Sequence, residues 1–243
     1  MNDKHVLLTG ALGTLGRAQA SALSAAGARV TLLDLPAAQA SGAQFAATLA
    51  SARYIGVDLN QLAAAKAAVE ALCQDDPVDI LINNAAMIIN RPFEEFTIEE
   101  YEDQLRVNSS AAFALVQATS PGMRARRYGK VINFCSLTLN GRWDGYVPYV
   151  ASKGALLGLT KSLARELGKD GIRVNAVSPG AVVSEAEVRV FGERLQQYND
   201  WIVENQCLKT RIEAHHVADL VLFLASPASD LITGQNFAID GGW

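Results

Sequence analysis

Short β-branched runs alternate with longer Ala/Leu-rich stretches of helical spacing along nearly the whole chain, and this rhythm limits the folds open to it. The runs fall at residues 5–9, 29–34, 53–57, 79–82, 130–135, 173–177 and 236–239. Between them, helices are predicted over 15–26, 37–50, 61–73, 98–127, 149–167 and 215–225. The runs are apolar throughout rather than alternating, so each strand is expected to be covered on both faces by helices. Strand, helix, strand in that order predicts an α/β fold with a doubly wound parallel sheet. No linker or internal repeat interrupts the rhythm. One irregular stretch, 180–210, brings in Glu185, Arg189, Phe191, Tyr198 and Trp201 and is expected to form a mobile helical flap over a ligand.

Composition narrows the partners. The 243 residues are 50% hydrophobic and 19% charged, which disfavours disorder, and no apolar run nears the roughly 18 residues of a membrane span. Lys and Arg number 21 against 25 Asp and Glu, and the one basic cluster, Arg124, Arg126, Arg127 and Lys130, is too short for nucleic-acid binding. The first residues read as a strand entry rather than a signal peptide. Three cysteines, Cys73, Cys135 and Cys207, lack metal-ligand spacing and read as reduced thiols of a cytoplasmic protein. His215 and His216 read as the polar first turn of the last long helix, so no metal is expected.

The first strand runs into Thr9-Gly10-Ala11-Leu12-Gly13-Thr14-Leu15-Gly16 and then a helix. Such a turn lets backbone amides at a helix N-terminus approach a pyrophosphate, although close helix–strand packing also asks for glycine. Asp34 ends the second strand, where a carboxylate can accept hydrogen bonds from the adenosine ribose and repel the 2′-phosphate of NADP. Neither Gly13 nor Leu35 offsets that repulsion, so NAD is the expected cofactor; the alternative for Asp34 is a plain strand-end turn. Asp58 is either an adenine contact or a helix cap.

Tyr149 and Lys153 stand at i and i+4, on one helix face. A phenol needs its pKa lowered by about 3 units to act as a base near neutrality, and a neighbouring ammonium acts in that direction. Ser136, at the end of the fifth strand, could polarise a carbonyl.

With these residues, the chain resembles the short-chain dehydrogenase/reductase family over nearly its whole length. The resemblance also runs through Asn83-Asn84-Ala85-Ala86, Asn108, Asn175 to Gly180, Thr233-Gly234-Gln235 and Asp240-Gly241-Gly242. It implies a single Rossmann-like domain over 1–243 with a seven-stranded parallel sheet, and a catalytic set of Asn108, Ser136, Tyr149 and Lys153. It also implies dinucleotide contacts at Gly10, Leu12, Thr14, Leu15, Gly16, Asp34, Asp58, Leu59, Asn84, Ala85, Tyr149, Lys153, Pro179, Gly180, Val182 and Ser184. In the implied chemistry Tyr149 takes the alcohol proton as hydride leaves for the nicotinamide, Ser136 holds the substrate oxygen, Lys153 lowers the Tyr149 pKa, and Asn108 helps hold a relay water. The long helices 98–127 and 149–167 resemble the pair that packs a homotetramer. Three positions depart from the pattern: Thr14 replaces the middle glycine of the turn, Ala86 a glycine, and Ser184 a threonine.

The substrate is expected to meet Arg91, Thr138, Arg142, Trp143 and Tyr146, together with Ile88, Asn140, Glu185 and Arg189. This mostly polar set suits a small polyhydroxylated molecule better than a steroid or acyl chain. Arg142 is either a bidentate clamp for a carboxylate, which makes a sugar acid the first expectation and a neutral sugar or polyol the second, or a solvated loop arginine. Trp143 is a pocket wall or core filler, and Trp243 a frayed terminus or a reach into a neighbouring subunit.

Overall fold

In the computed structural model, which describes residues 1–243, β1 (His5–Thr9) lies where the order of strands reverses. It pairs in parallel with β2 (Arg29–Asp34) on one side and β4 (Ile80–Asn83) on the other, so Val6 stands opposite both Val30 and Ile80. With β3 (Ala52–Gly56), β5 (Gly129–Phe134), β6 (Ile172–Pro179) and β7 (Asn236–Ile239), the sheet runs β3-β2-β1-β4-β5-β6-β7, all parallel. Beyond the carboxyl ends of β1 and β4 the connections part to opposite faces and leave a crevice, the usual ligand position in open α/β sheets.

Period-2 geometry sends alternate strand residues to opposite faces, and both faces are buried. Val6, Leu8, Val30, Leu32, Ile80 and Ile82 pack with Ala20 and Leu23 of α1 (Thr14–Ala25) and Val217, Val221 and Leu224 of α9 (Ala214–Ala225). Leu7, Leu33, Leu81, Val131 and Val174 pack with Val69 of α3 (Leu62–Asp75), Leu115 and Met123 of α5 (Ala111–Ala125) and Leu167 of α6 (Val147–Leu167). No helix is long and apolar enough to cross a membrane, and no group of three His, Cys, Asp or Glu side chains is placed to hold a metal.

The structure redraws several elements. The stretch 37–50 helps form a 3-10 turn, Pro36–Ala38, and a shorter α2 (Gln39–Ala46). The stretch 98–127 splits into α4 (Ile98–Leu105), a wide π-turn (Arg106–Ser110) and α5, closed by an Ala111 N–H donating to the Arg106 carbonyl. No glycine or proline marks that break; Pro121 sits further on, inside α5. The irregular stretch holds α7 (Glu185–Phe191), a 3-10 turn and α8 (Leu195–Asn205). The basic cluster is dispersed: Arg124 bonds Asp170, Arg126 the Val78 carbonyl, and Lys130 is buried against Ser229 and Asp230.

Two glycines fix how tightly the chain turns at the crevice. A β-carbon on Gly10, whose φ is +62°, would lie 2.7 Å from the Ala85 Cα, and one on Gly16 would lie 2.2 Å from the Gly10 carbonyl oxygen. Gly16→Ala is therefore expected to force the turn apart and cost about 2 to 3 kcal/mol. A shift in the urea midpoint measures it, and an unchanged midpoint would show that the turn has slack the packing does not reveal.

Candidate active site

The crevice is a cleft of about 770 Å³ whose wall carries both the glycine turn and the catalytic helix. The helix N-terminus at the turn is open: α1 has Gly13 as its N-cap, no side-chain cap and no acidic residue in its first turn. Its first amides are thus left for an anion, and the backbone around Gly10, Gly13, Thr14, Leu15 and Gly16 lines the cleft beside them. Asp34 stands on the rim, accepting from the Leu12 amide (2.9 Å) and the Leu35 amide (2.8 Å). Two of its roughly four lone-pair sites remain for a ribose diol. Asp58, Leu59, Ala85, Pro179, Gly180, Val182 and Ser184 also line the cleft, and these features fit a dinucleotide.

Several expected contacts serve the scaffold. Leu12 lies outside the cleft lining and supplies the amide that orients Asp34. Asn84 donates to the carbonyls of Thr9 and Gly10, 3.0 Å each, and accepts from Gln19, so its side chain pins the turn. The Asp58 carboxylate accepts from the Asn60 amide (2.9 Å), a local turn bond that leaves it on the cleft wall. The Thr14 hydroxyl accepts from the Glu185 amide (3.3 Å), tying the turn to the start of α7.

At the chemical end, Ser136, Tyr149 and Lys153 converge, all of them buried. The Lys153 ammonium lies 5.4 Å from the Tyr149 ring centroid and donates to the Phe134 carbonyl at 2.6 Å. Burial outweighs every other influence on both groups. It pushes the Tyr149 phenol up to about 12, with the neighbouring Ser136 hydroxyl pulling the other way, and it pulls the Lys153 ammonium down to about 8. Burial thus acts against the activation expected of Lys153.

Thr138, expected to touch substrate, lines the cleft and donates to Ser136 Oγ twice, from its amide (3.1 Å) and its hydroxyl (2.9 Å). With both lone pairs of Ser136 taken, its own proton is free to point into the cleft. Asn108 lies in the π-turn, away from the cleft lining. Its amide donates to the Met87 carbonyl and Ser152 Oγ, 2.9 Å each, and its oxygen accepts from the Met87 amide, 2.7 Å. Ser152 Oγ in turn donates to the Tyr149 carbonyl (2.6 Å), so the Asn108 side chain braces the helix that carries Tyr149, with one acceptor site of its oxygen left over.

The substrate end differs most from expectation. Arg142 is exposed and outside the cleft, and Arg91 is paired with Glu100 and lies over Phe96, also outside it. Trp143 and Tyr146 do line the cleft. Trp243 is neither frayed nor reaching away: it stacks on Trp143 at 5.3 Å and 21°, with Trp201 edge-on to both. Bonds from the Cys207 and Leu208 amides to the carbonyls of Gly242 and Gly241 hold the terminus there. Two further residues carry no signal in the sequence. Glu187 lines the cleft, and Arg211 donates to both its carboxylate oxygens at 2.7 Å; they lie 24 residues apart, and no local pattern pairs them.

Comparison with known proteins matches residues 10–243 to the family model described as enoyl-(acyl carrier protein) reductase. The chain is 36% identical over 247 residues to the "probable galactose dehydrogenase" of Rhizobium meliloti, covering 100% of this chain and 95% of that one. It is 34% identical to D-xylose 1-dehydrogenase of Caulobacter vibrioides, covering 100% and 96%. Among solved structures, a "putative NAD(P) dependent gluconate 5-dehydrogenase" from Beutenbergia cavernae superposes with a TM-score of 0.93 at 30% identity, covering 100% and 97%. The sheet order, the open helix end and the Ser136, Tyr149 and Lys153 cluster agree with these full-length likenesses, and the chain belongs to the short-chain dehydrogenase/reductase family.

Proposed function

We propose that the protein transfers hydride between NAD and a hydroxyl-bearing carbon of a sugar or sugar acid. The observation that carries this reading is the convergence of Ser136, Tyr149 and Lys153 on a cleft shared with the open N-terminus of α1. When bound, the nicotinamide supplies the hydride acceptor. Ser136 donates its free proton to the substrate oxygen and places the carbon, while Tyr149 takes the hydroxyl proton in oxidation and returns it in reduction. Lys153 holds positive charge beside the phenol, and Asn108 acts as a positioning residue through Ser152.

The choice of NAD over NADP rests on Asp34. Arg17, in the first turn of α1, donates its Nε to the Leu12 carbonyl (2.8 Å) and lies over the Phe45 ring, while Asp34 itself would repel a 2′-phosphate. Sugar-class substrates draw support from the relatives, which include dehydrogenases of neutral sugars and one of gluconate. The clamp by Arg142 loses its geometric basis, because that side chain does not reach the cleft. A homotetramer packed through α4, α5 and α6 belongs to the same proposal, and a monomer in sedimentation would overturn that part.

The test is a panel of sugars, sugar acids and polyols with NAD or NADP, read by nicotinamide absorbance. Turnover is expected with NAD at least tenfold above NADP in kcat/KM; a preference for NADP would overturn the role given to Asp34. Tyr149→Phe should lower kcat by about 10² to 10⁴-fold.

Lys153 also carries a stability cost. Its folded-state pKa of about 8 lies below the ordinary 10.5, so between those values the unfolded chain binds more protons and the wild type gains stability as pH rises. Lys153→Met should thus be inactive yet more stable by about 1 to 3 kcal/mol at pH 7. The gap should close from pH 8 toward 10.5. Denaturant melts of both proteins across that range check it, and a gap independent of pH would contradict the burial of a charged lysine.

A further inference from the structure

We infer that the cleft prefers an uncharged sugar ring to the corresponding sugar acid, and that Glu187, held by Arg211, is the residue that sets this preference. The inference rests on the sugar-oxidoreductase reading and adds to it the charge of the substrate.

No unpaired cation faces the cleft away from the reacting end except Arg189. Arg142 is outside the cleft, Arg91 is paired with Glu100, and Lys153 stands beside Tyr149, where the proposed reaction uses its charge. Arg211 does not line the cleft, and its guanidinium is committed to Glu187, Asn199 and the Ala181 carbonyl. Only Arg189 remains, and it is exposed. A substrate carboxylate would lose its water without gaining a buried partner, which disfavours a sugar acid.

Glu187 offers what a hydroxyl needs instead. Its side chain is 11% exposed and faces the cleft near Tyr146 and Tyr198. Arg211 takes one acceptor site on each oxygen, so about two of four are left for donors from the cleft. The guanidinium also fixes where those sites point, because it is itself held on Ala181. The Trp143 ring also lines the cleft and gives it an apolar surface. Trp243 stacked behind it and Trp201 on its edge keep it from turning, and an aromatic face of negative potential attracts the C–H groups of a sugar ring.

The test compares kcat/KM with NAD for D-galactose and D-xylose against D-galacturonate and D-glucuronate, acids that keep the ring and its C1 hydroxyl and add a carboxylate, in wild type and Glu187→Gln. Wild type is expected to favour the neutral sugars at least 100-fold. Glu187→Gln frees the Arg211 charge, so KM for the neutral sugars should rise while KM for NAD stays unchanged, and the neutral-to-acid ratio should fall at least tenfold. Should that variant fold poorly, Glu187→Ala combined with Arg211→Met removes both charges, and it should lose neutral-sugar turnover without gaining activity on acids. A wild type that favours the acids, or a ratio that Glu187→Gln leaves unchanged, would overturn the inference while leaving the hydride-transfer reading in place. No turnover with any member of the panel would overturn both.

Discussion

The approach of the Gly10–Gly16 turn to the Ala85 backbone is the contact on which the rest of the molecule depends. It lets β1 end level with β4, so the two strands that part at the reversal of the sheet open directly onto the N-terminus of α1. Most of the hydrogen bonds around it involve the backbone, with one between the side chains of Gln19 and Asn84. Thr9 Oγ1 accepts from the amides of Asn84 and Ala85, and Asn84 returns two bonds to the turn. A turn held this closely places free amides where a phosphate can reach them, and it does so before any ligand arrives. The binding of a dinucleotide then spends little on ordering the site.

The catalytic end is built on the opposite principle. Where the glycine turn is satisfied by the backbone, Lys153 is a cation buried with a single carbonyl bond, and Tyr149 is a phenol held far from water. Packing an ammonium there is unfavourable for folding, and the two hydrophobic clusters on the sheet faces must offset it. Such a pair is poised for charge to arrive. A hydroxyl in contact with Tyr149, as Ser136 supplies, favours the phenolate, and burial makes that influence stronger than it would be in water.

How much of this could be read beforehand follows from the range of the interactions involved. The strands, the turn, Asp34 and the Tyr149–Lys153 pair rest on periodicity or on spacings of a few residues, and the structure places them as expected. The π-turn at Asn108 escapes such reading, because a change from i→i+4 to i→i+5 bonding needs no special residue. Nearness to Ser136 in the sequence points Thr138 at the substrate, and the family resemblance gives Asn108 its chemical role. The structure shows their polar groups already engaged with Ser136, Met87 and Ser152. A motif reveals that a side chain is near; only the full set of partners reveals whether it has a free donor left.

The substrate end lay furthest from view for the same reason. Glu187 meets Arg211 across 24 residues, and Trp143 meets Trp243 across the remaining length of the chain, so neither contact leaves a local pattern. Both depend on α7 and α8 folding over the cleft and on the carboxy-terminal strand returning beneath them. The Cys207 and Leu208 amides bond Gly242 and Gly241, which makes the position of Trp143 a consequence of how β7 ends. Specificity in such a fold is therefore set by the last residues to be added to the sheet, whereas the chemistry is set by the first turn and the sixth helix. The two can vary independently, and a change of substrate needs no change in Ser136, Tyr149 or Lys153.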